Sequence, residues 1–479
     1  MLNFSDIISS LSPTRPGLIK KKITQAVVNS RLAEPGSLFV AIKGEHADGH
    51  DFVIDAFNQG ASAALVEKPL NLSPDICVTL DLRTEVPAAT LQKLIETDLP
   101  ACFVVSDNLL ALQKLAALIR QRSTATFIGV TGTFGKTTSK ETIARVLASQ
   151  YRTQKSEGNY NNEIGLPLSL FSLKPDTEYM VLEMGFYVPG EIKLLCDIAQ
   201  PSIGVLTNIG AVHAERAGSL ETIALGKGEL VESLPAAPRG IAILNDDDPY
   251  IREFHTRTGA RVFRYSTISA CDLWAENIQT HGLNGIELDL HFGTQLVHIK
   301  SPLIGAHSAY TILRAASVGL VCGISLNAIA ETLAQKSDQL RLQPKKLANG
   351  TLIIDDSYNA GPDSTLAALQ LLSEIPGKRL AILGDMLELG IYEEESHQRV
   401  GKTAAACVDE LITFGNRSLI TAQAARQAGL AEVFSFAPHQ LDELVANLLP
   451  RLDGNEVILI KGSFSMGMKR IVSALEAAA

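Results

Sequence analysis

The chain has few aromatic residues, a single tryptophan, no excess of positive charge and no apolar run of membrane-spanning length. Each absence removes a class of function. A formal net charge of −10, without any basic stripe interleaved with aromatics, argues against nucleic acid as a partner. The first twelve residues lack a positively charged leader and a long apolar region. The expected location is therefore cytoplasmic, with no membrane insertion. The six cysteines, at 77, 102, 196, 271, 322 and 407, make no C-x-x-C pair and have no metal-ligand spacing. They read as small buried apolar residues in a reducing compartment. No repeat or low-complexity segment stands out, and nothing demands an oligomer, so a monomer is expected.

A hydrophobic content of 46% with 20% charge describes an ordinary globular chain, and 479 residues are too many for one core. About three domains are expected, at 1–104, 105–337 and 338–479. In the first, Ser37 to Ile42 and Ala63 to Glu67 read as strands, Asp51 to Gln59 as a helix, and Asp107 to Arg122 as a helix leading onward. From Thr126 apolar strands alternate with helices, the mark of an α/β fold with a largely parallel sheet. Strands end at Glu183, before Thr207-Asn208-Ile209-Gly210, and before Asn245-Asp246-Asp247-Asp248-Pro249. Such strand ends are where open α/β sheets bind ligands. Alternation at Ile286, Leu288 and Leu290, with a turn at Gly293-Thr294, predicts an antiparallel appendage. A helix from His307 to Val318 follows, with Gly319 as its C-cap. A further α/β unit begins near residue 340, with strands at 351–354, 379–383, 410–414 and 457–460.

The most informative segment is Thr131-Gly132-Thr133-Phe134-Gly135-Lys136-Thr137, between an apolar strand and an amphipathic helix. Two glycines allow a tight turn whose N–H groups face phosphate oxygens, Lys136 reaches the outer phosphates, and the Thr137 hydroxyl can join Mg²⁺ coordination. The strict pattern wants glycine at position 130, which is Val130. Glu183 is an oxygen ligand suited to Mg²⁺ or a solvated strand end. His213 can orient a metal or substrate oxygen, or bond within its loop. Lys227, in Gly226-Lys227-Gly228 near the start of a helix, is an isolated cation or a surface lysine.

The offset phosphate loop, extended by Thr138, resembles that of the Mur ligases, the ATP-dependent amide-forming family of peptidoglycan synthesis. The likeness continues through Gly158-Asn159-Tyr160-Asn161-Asn162-Glu163-Ile164-Gly165, Glu183-Met184-Gly185, Asp355-Asp356-Ser357-Tyr358-Asn359-Ala360, Leu383 to Gly390, and Lys461-Gly462-Ser463. Within the family it is most similar to the MurF type. That type joins D-alanyl-D-alanine to a UDP-N-acetylmuramoyl tripeptide through an acyl phosphate. The resemblance implies a UDP-binding N-terminal domain, a central P-loop ATPase domain with a parallel sheet, and a Rossmann-like C-terminal domain that swings to complete the site.

It also implies residue roles. Lys136, Glu183, His213 and Lys227 would be catalytic. Thr137, Glu183, His213 and a carbamylated Lys227 would hold Mg²⁺. Gly132, Thr133, Phe134, Gly135, Lys136, Thr137, Thr138, His307, Arg341 and Asp356 would bind ATP. Ser30, Asp48, Gly49, His50, Asn161, Asn162 and Asn359 would contact the other substrates, although Asp48-Gly49 also reads as a plain turn before a helix. Asp247 and Asp248 are expected to be structural. The chain departs from the family pattern at Ser308 and Thr311, where asparagines are usual, at Gly361-Pro362, at Phe464 in place of arginine, and in the bulk of Phe134. These departures keep open a related ligase with a different acceptor or amine, and a non-catalytic paralogue that binds UDP-sugar peptides.

Overall fold

The structure, a computed structural model, describes residues 2–44, 47–336 and 341–478. The expected boundary at 337/338, and the start of the last α/β unit near 340, lie outside the described residues. The chain forms two compact units. The first comprises Met1–Gly129, Tyr151–Gly185 and Glu191–Ile203; the second comprises Val130–Gln150, Phe186–Gly190 and Gly204–Ala479.

The first unit is built on an all-parallel five-stranded sheet. Its spatial order is Ala26–Val27, Leu38–Val40, Ala63–Val66, Ala101–Val104, Val78–Asp81. The strands at 38–40, 63–66 and 101–104 are buried at every position, which is why they read as continuous apolar runs. Phe103 packs edge-on against Phe4, ring centroids 5.4 Å apart. The expected helix at 51–59 starts as a 3₁₀ turn, Gly49–Phe52, and becomes α-helical over Val53–Asn58. The long helix Asn108–Arg122 is capped by Asp107, whose carboxylate accepts from the Leu110 N–H at 2.7 Å. Thr153–Lys155 pairs in parallel with Tyr179–Glu183 in the same unit.

The strands Ile203–Leu206 (in the second unit from Gly204 on), Ile241–Asn245, Arg261–Ser266, Leu273–Thr280, Ile286–Phe292 and Gln295–Ser301 lie side by side in chain order. The first pairings after Ile241 are parallel and the last two antiparallel. The 273–301 segment is antiparallel as expected, and it continues the sheet through Tyr265↔Leu273. The following helix is Ser308–Val321, so Gly319 does not cap it. Gly319 lies inside the helix because a Cβ there would meet Ile329 and Val146 at 2.8 and 2.9 Å. Lys227 likewise sits well inside helix Leu220–Glu232 instead of near its start.

A second sheet of this unit runs Gln343–Lys346, Leu352–Asp356, Glu456–Lys461, Lys378–Gly384, Glu410–Phe414, Val433–Phe436. All neighbours are parallel except the first pair. Alternate residues face two separate cores, Ile354, Leu383 and Leu459 on one side and Ile353, Ile382 and Ile458 on the other. That two-sided burial is the doubly wound arrangement.

Phe103→Ala should cost about 3–5 kcal/mol, since a fully buried ring leaves a cavity against the first sheet. Chemical denaturation followed by circular dichroism measures it.

Candidate active site

The phosphate loop joins the strand Thr126–Thr131 to the helix Lys136–Ala148. Gly132, at φ 146°, lies so close to Thr207 that a Cβ would fall 1.8 Å from its Oγ1. Gly135, at φ 76°, takes the left-handed turn into the helix. All four loop carbonyls from 132 to 135 accept hydrogen bonds from protein donors. Gly132 O accepts from Lys136 Nζ at 2.8 Å and from Lys227 Nζ at 3.1 Å. Thr133 O accepts from Lys136 Nζ at 3.1 Å. Phe134 O accepts from Thr207 Oγ1 at 2.7 Å and Asn208 Nδ2 at 3.2 Å, and Gly135 O from Ser139 Oγ at 2.6 Å. Carbonyl oxygens pinned in this way cannot repel an incoming anion from inside the loop. Asn208 also holds the other side, its Oδ1 accepting from the Thr133 and Phe134 N–H groups at 3.2 and 3.0 Å. The backbone of Phe134 is therefore fixed by Thr207 and Asn208; nothing in the structure explains its ring.

Two lysines thus meet at one carbonyl. Lys227 is 1% exposed, with its Nζ 4.6 Å from the centroid of the Phe186 ring. It is not the surface lysine its isolated position in the sequence allows. His213 adds a third basic group. It occupies a left-handed position, φ 75°, before the short helix Ala214–Ala217, and its ring packs edge-on to Tyr187. Burial, then Lys227, Lys136 and Arg216, push its ring down to about 3. Glu388 favours a charged ring, but burial and the neighbouring cations outweigh it. The neutral ring's proton is then on Nδ1, which lies 2.5 Å from Glu388 Oε2. Nε2 is left as the ring's acceptor.

A second group lies at the strand ends of the other sheet. Lys461 Nζ donates to Asp356 Oδ2 at 2.5 Å and to Asn359 O at 3.0 Å. Asn359 Oδ1 accepts from the Ala360 and Phe464 N–H groups. The Arg341 guanidinium stacks 3.8 Å over Tyr358, and Tyr358 packs against the exposed Phe464. His307 is pushed down to about 4 chiefly by burial, with Asp356 opposing and Lys461 and Arg314 adding to the shift. The hydroxyls that replace the usual asparagines are turned to the protein: Ser308 Oγ donates to Ile304 O, and Thr311 Oγ1 accepts from Arg314.

In the first unit, Glu183 is buried and its Oε1 accepts from Asn161 Nδ2 at 2.9 Å. Asn162 Oδ1 instead receives the Gly165 N–H at 2.8 Å, at the start of helix Gly165–Phe171. Ser30 is buried in a 3₁₀ turn. His50 Nδ1 bonds Asp48 Oδ1 at 2.6 Å while Nε2 accepts from the Glu67 N–H at 3.0 Å, so both ring nitrogens serve the fold. Asp247 is surrounded by Ser266, Thr267 and Tyr310, and Asp248 caps the helix Pro249–Arg252. Both fit the structural role expected of them.

Among the described residues, no group of three or more His, Cys, Asp or Glu is gathered to hold a metal ion. Mg²⁺ takes hard oxygen donors, one or two carboxylates together with waters and substrate phosphates. The Glu183 carboxylate and Thr137 hydroxyl are hard oxygen donors; the Lys227 ammonium is a donor of that kind only as a carbamate.

Comparison with known proteins decides the family. Residues 22–118 match the model for "Mur ligase family, catalytic domain", 130–319 that for "Mur ligase middle domain", and 340–464 that for "Mur ligase, glutamate ligase domain". The UDP-N-acetylmuramoyl-tripeptide–D-alanyl-D-alanine ligase of Escherichia coli is 36% identical over 94% of this chain and 92% of its own length. The chain belongs to the Mur ligase family. The Bacillus subtilis ligase of the same name is 33% identical over 93% of the chain. The crystal structure of MurF from Acinetobacter baumannii superimposes with a TM-score of 0.82, at 27% identity, over 99% of each chain. The Thermotoga maritima MurF ligase in complex with ADP gives 0.78, at 26% identity, over 96% of this chain. This Mur ligase accordingly has the three-domain α/β architecture of its family.

Sequence reasoning did not assign roles to Asn208, Glu388, Arg314 or Lys461. Asn208 stands at a strand end and Glu388 and Lys461 in segments that carry the family resemblance, but their partners lie far away in sequence. Two outcomes are expected for this Mur ligase. Glu388→Ala should lower kcat/KM about 10- to 100-fold, with Glu388→Gln milder because its amide oxygen can still accept from Nδ1; steady-state kinetics measures both. Asp48 is held down to about 2, chiefly by the His50 N–H and ring, from 3.8. Its stabilising contribution is complete above about pH 4 and lost as the pH falls through 2. Asp48→Asn should flatten that part of the stability–pH curve.

Proposed function

We propose that the chain joins D-alanyl-D-alanine to a UDP-N-acetylmuramoyl tripeptide, with ATP as the driving reagent, in peptidoglycan synthesis. The observation that carries this reading is the end-to-end similarity to ligases of that name, at 36% and 33% identity over more than nine-tenths of the chain. The site's chemistry supports it. Lys136 and Lys227 converge on the phosphate loop, where a nucleotide triphosphate needs cationic stabilisation. Gly132, Thr133, Phe134, Gly135, Thr137 and Thr138 surround the phosphates, and His307, Arg341 and Asp356 hold the rest of ATP. The tripeptide's terminal carboxylate takes the γ-phosphoryl group, and the dipeptide amine displaces phosphate to form the amide.

Mg²⁺ supplies charge neutralisation on the phosphates when bound. Thr137, Glu183, His213 and Lys227 are its proposed ligands, Lys227 after reaction of its amine with carbon dioxide. A carbamate answers the charge problem directly, because it turns one of two crowded ammonium groups into an anion. Ser30, Asp48, Gly49 and His50 shape the uridine-diphosphate site, while Asn161, Asn162 and Asn359 face the peptide substrates. The domain limits 1–104, 105–337 and 338–479 belong to this proposal. So does a cytoplasmic monomer.

The direct test is phosphate release with ATP, Mg²⁺ and the UDP-muramoyl tripeptide, with and without D-alanyl-D-alanine. Release that depends on the dipeptide is expected; turnover with another amine alone would overturn the substrate assignment. Lys227→Ala should inactivate, with partial rescue by bicarbonate or short carboxylic acids. An alanine variant of full activity would remove the carbamate from the account.

A further inference from the structure

Behind the phosphate loop lies a cation that the reading above does not use. Arg314, in helix Ser308–Val321, is 3% exposed. Its Nε donates to Ser139 Oγ at 2.8 Å and its Nη2 to Thr311 Oγ1 at 3.2 Å. The neighbouring Tyr265 phenol is pushed up to about 12 by burial, and its hydroxyl donates to Leu206 O, so it is neutral. Among the described residues, no carboxylate oxygen lies within 4.0 Å of the guanidinium. A buried charge surrounded by neutral hydroxyls weakens the folded state, because it has lost water without gaining an opposite charge.

Its position tells what that charge serves. The Ser139 hydroxyl that accepts from Arg314 donates in turn to Gly135 O at 2.6 Å, and the Ser139 N–H donates to the same carbonyl at 2.9 Å. Arg314 therefore polarises a hydroxyl that pulls the last loop carbonyl inward, at the residue that makes the left-handed turn into the helix. A Cβ on Gly135 would stand 3.3 Å from Arg314 Nη2, so the guanidinium is packed directly under the loop. At 3% exposure it does not itself reach a ligand.

We propose that Arg314 is a positioning residue for the phosphate loop: it fixes Gly135 through Ser139, and the phosphates of bound nucleotide supply its missing counter-charge. The proposal rests on the reading of the loop as an ATP site. Charge in a poorly solvated interior acts over longer range than in water, so a group beneath the loop contributes without touching the ligand. The signature is opposite in sign for the two states of the protein. Removing the charge weakens phosphate binding while relieving the nucleotide-free fold.

Isothermal titration of ATP, ADP and AMP, together with nucleotide-free thermal unfolding, tests this on wild type, Arg314→Met, Arg314→Lys and Ser139→Ala. Arg314→Met should bind ATP about tenfold or more weakly, with a smaller loss for ADP and a loss of no more than about threefold for AMP. Its nucleotide-free Tm should be equal to wild type or higher. Arg314→Lys, which keeps the charge, should retain most of the ATP preference; Ser139→Ala should fall between. Equal losses for ATP and AMP with a lowered Tm would make Arg314 a packing residue and overturn the inference. If Arg314→Met does not fold, that contradicts the predicted relief, and Arg314→Lys binding no better than Ser139→Ala completes the refutation. Wild type that binds no ATP overturns the nucleotide reading and this inference together. Wild type that binds ATP beside an Arg314→Met that binds it equally overturns the inference alone.

Discussion

Two ammonium groups share the carbonyl oxygen of Gly132. At that spacing their mutual repulsion is unfavourable in any medium, and more so where one of them is 1% exposed. The rest of the site follows from that constraint. Ammoniums so close together suit a place where anions bind, and a loop with two glycines and a helix start is where a phosphate chain would lie. His213 is held neutral first by its burial and then by the same cations beside it.

The fold maintains this arrangement through residues that touch no ligand. Thr207 and Asn208, at the end of a neighbouring strand, fix the backbone of Phe134 from both sides. Ser139 and Arg314 do the same for Gly135, and Glu388 orients His213 across 175 residues of chain. Lys461 and Asp356 make the corresponding buried pair in the last sheet. Each locks one rotamer or one carbonyl, which is how positioning is achieved before a substrate arrives.

The sequence made the loop readable because its chemistry is local: glycines, a lysine and threonines within seven residues. The parallel sheets were readable as buried apolar strands with polar ends, and the resemblance carried the family. Other features were hidden for physical reasons. The depth of Lys227 depends on Phe186 and on how its helix packs, neither of which a spacing reveals. Gly319 looked like a helix end, yet it is a contact point where Ile329 and Val146 leave no room for a Cβ. Asp48-Gly49-His50 admitted two readings, and the structure commits both nitrogens of His50 to holding the first sheet together. Arg314 gives no signal in the sequence, since an arginine in an apolar helix is only informative once its missing partner is seen.

The central claim is that charge gathered at Gly132 directs phosphoryl transfer to a carboxylate. Oxygen-18 placed in the terminal carboxylate of the UDP-muramoyl tripeptide follows that step directly. Transfer through an acyl phosphate moves one labelled oxygen into each phosphate released and leaves the other in the new amide. Mass spectrometry of the phosphate should find the label there. Unlabelled phosphate, its fourth oxygen taken from water, while amide is formed, would contradict the account.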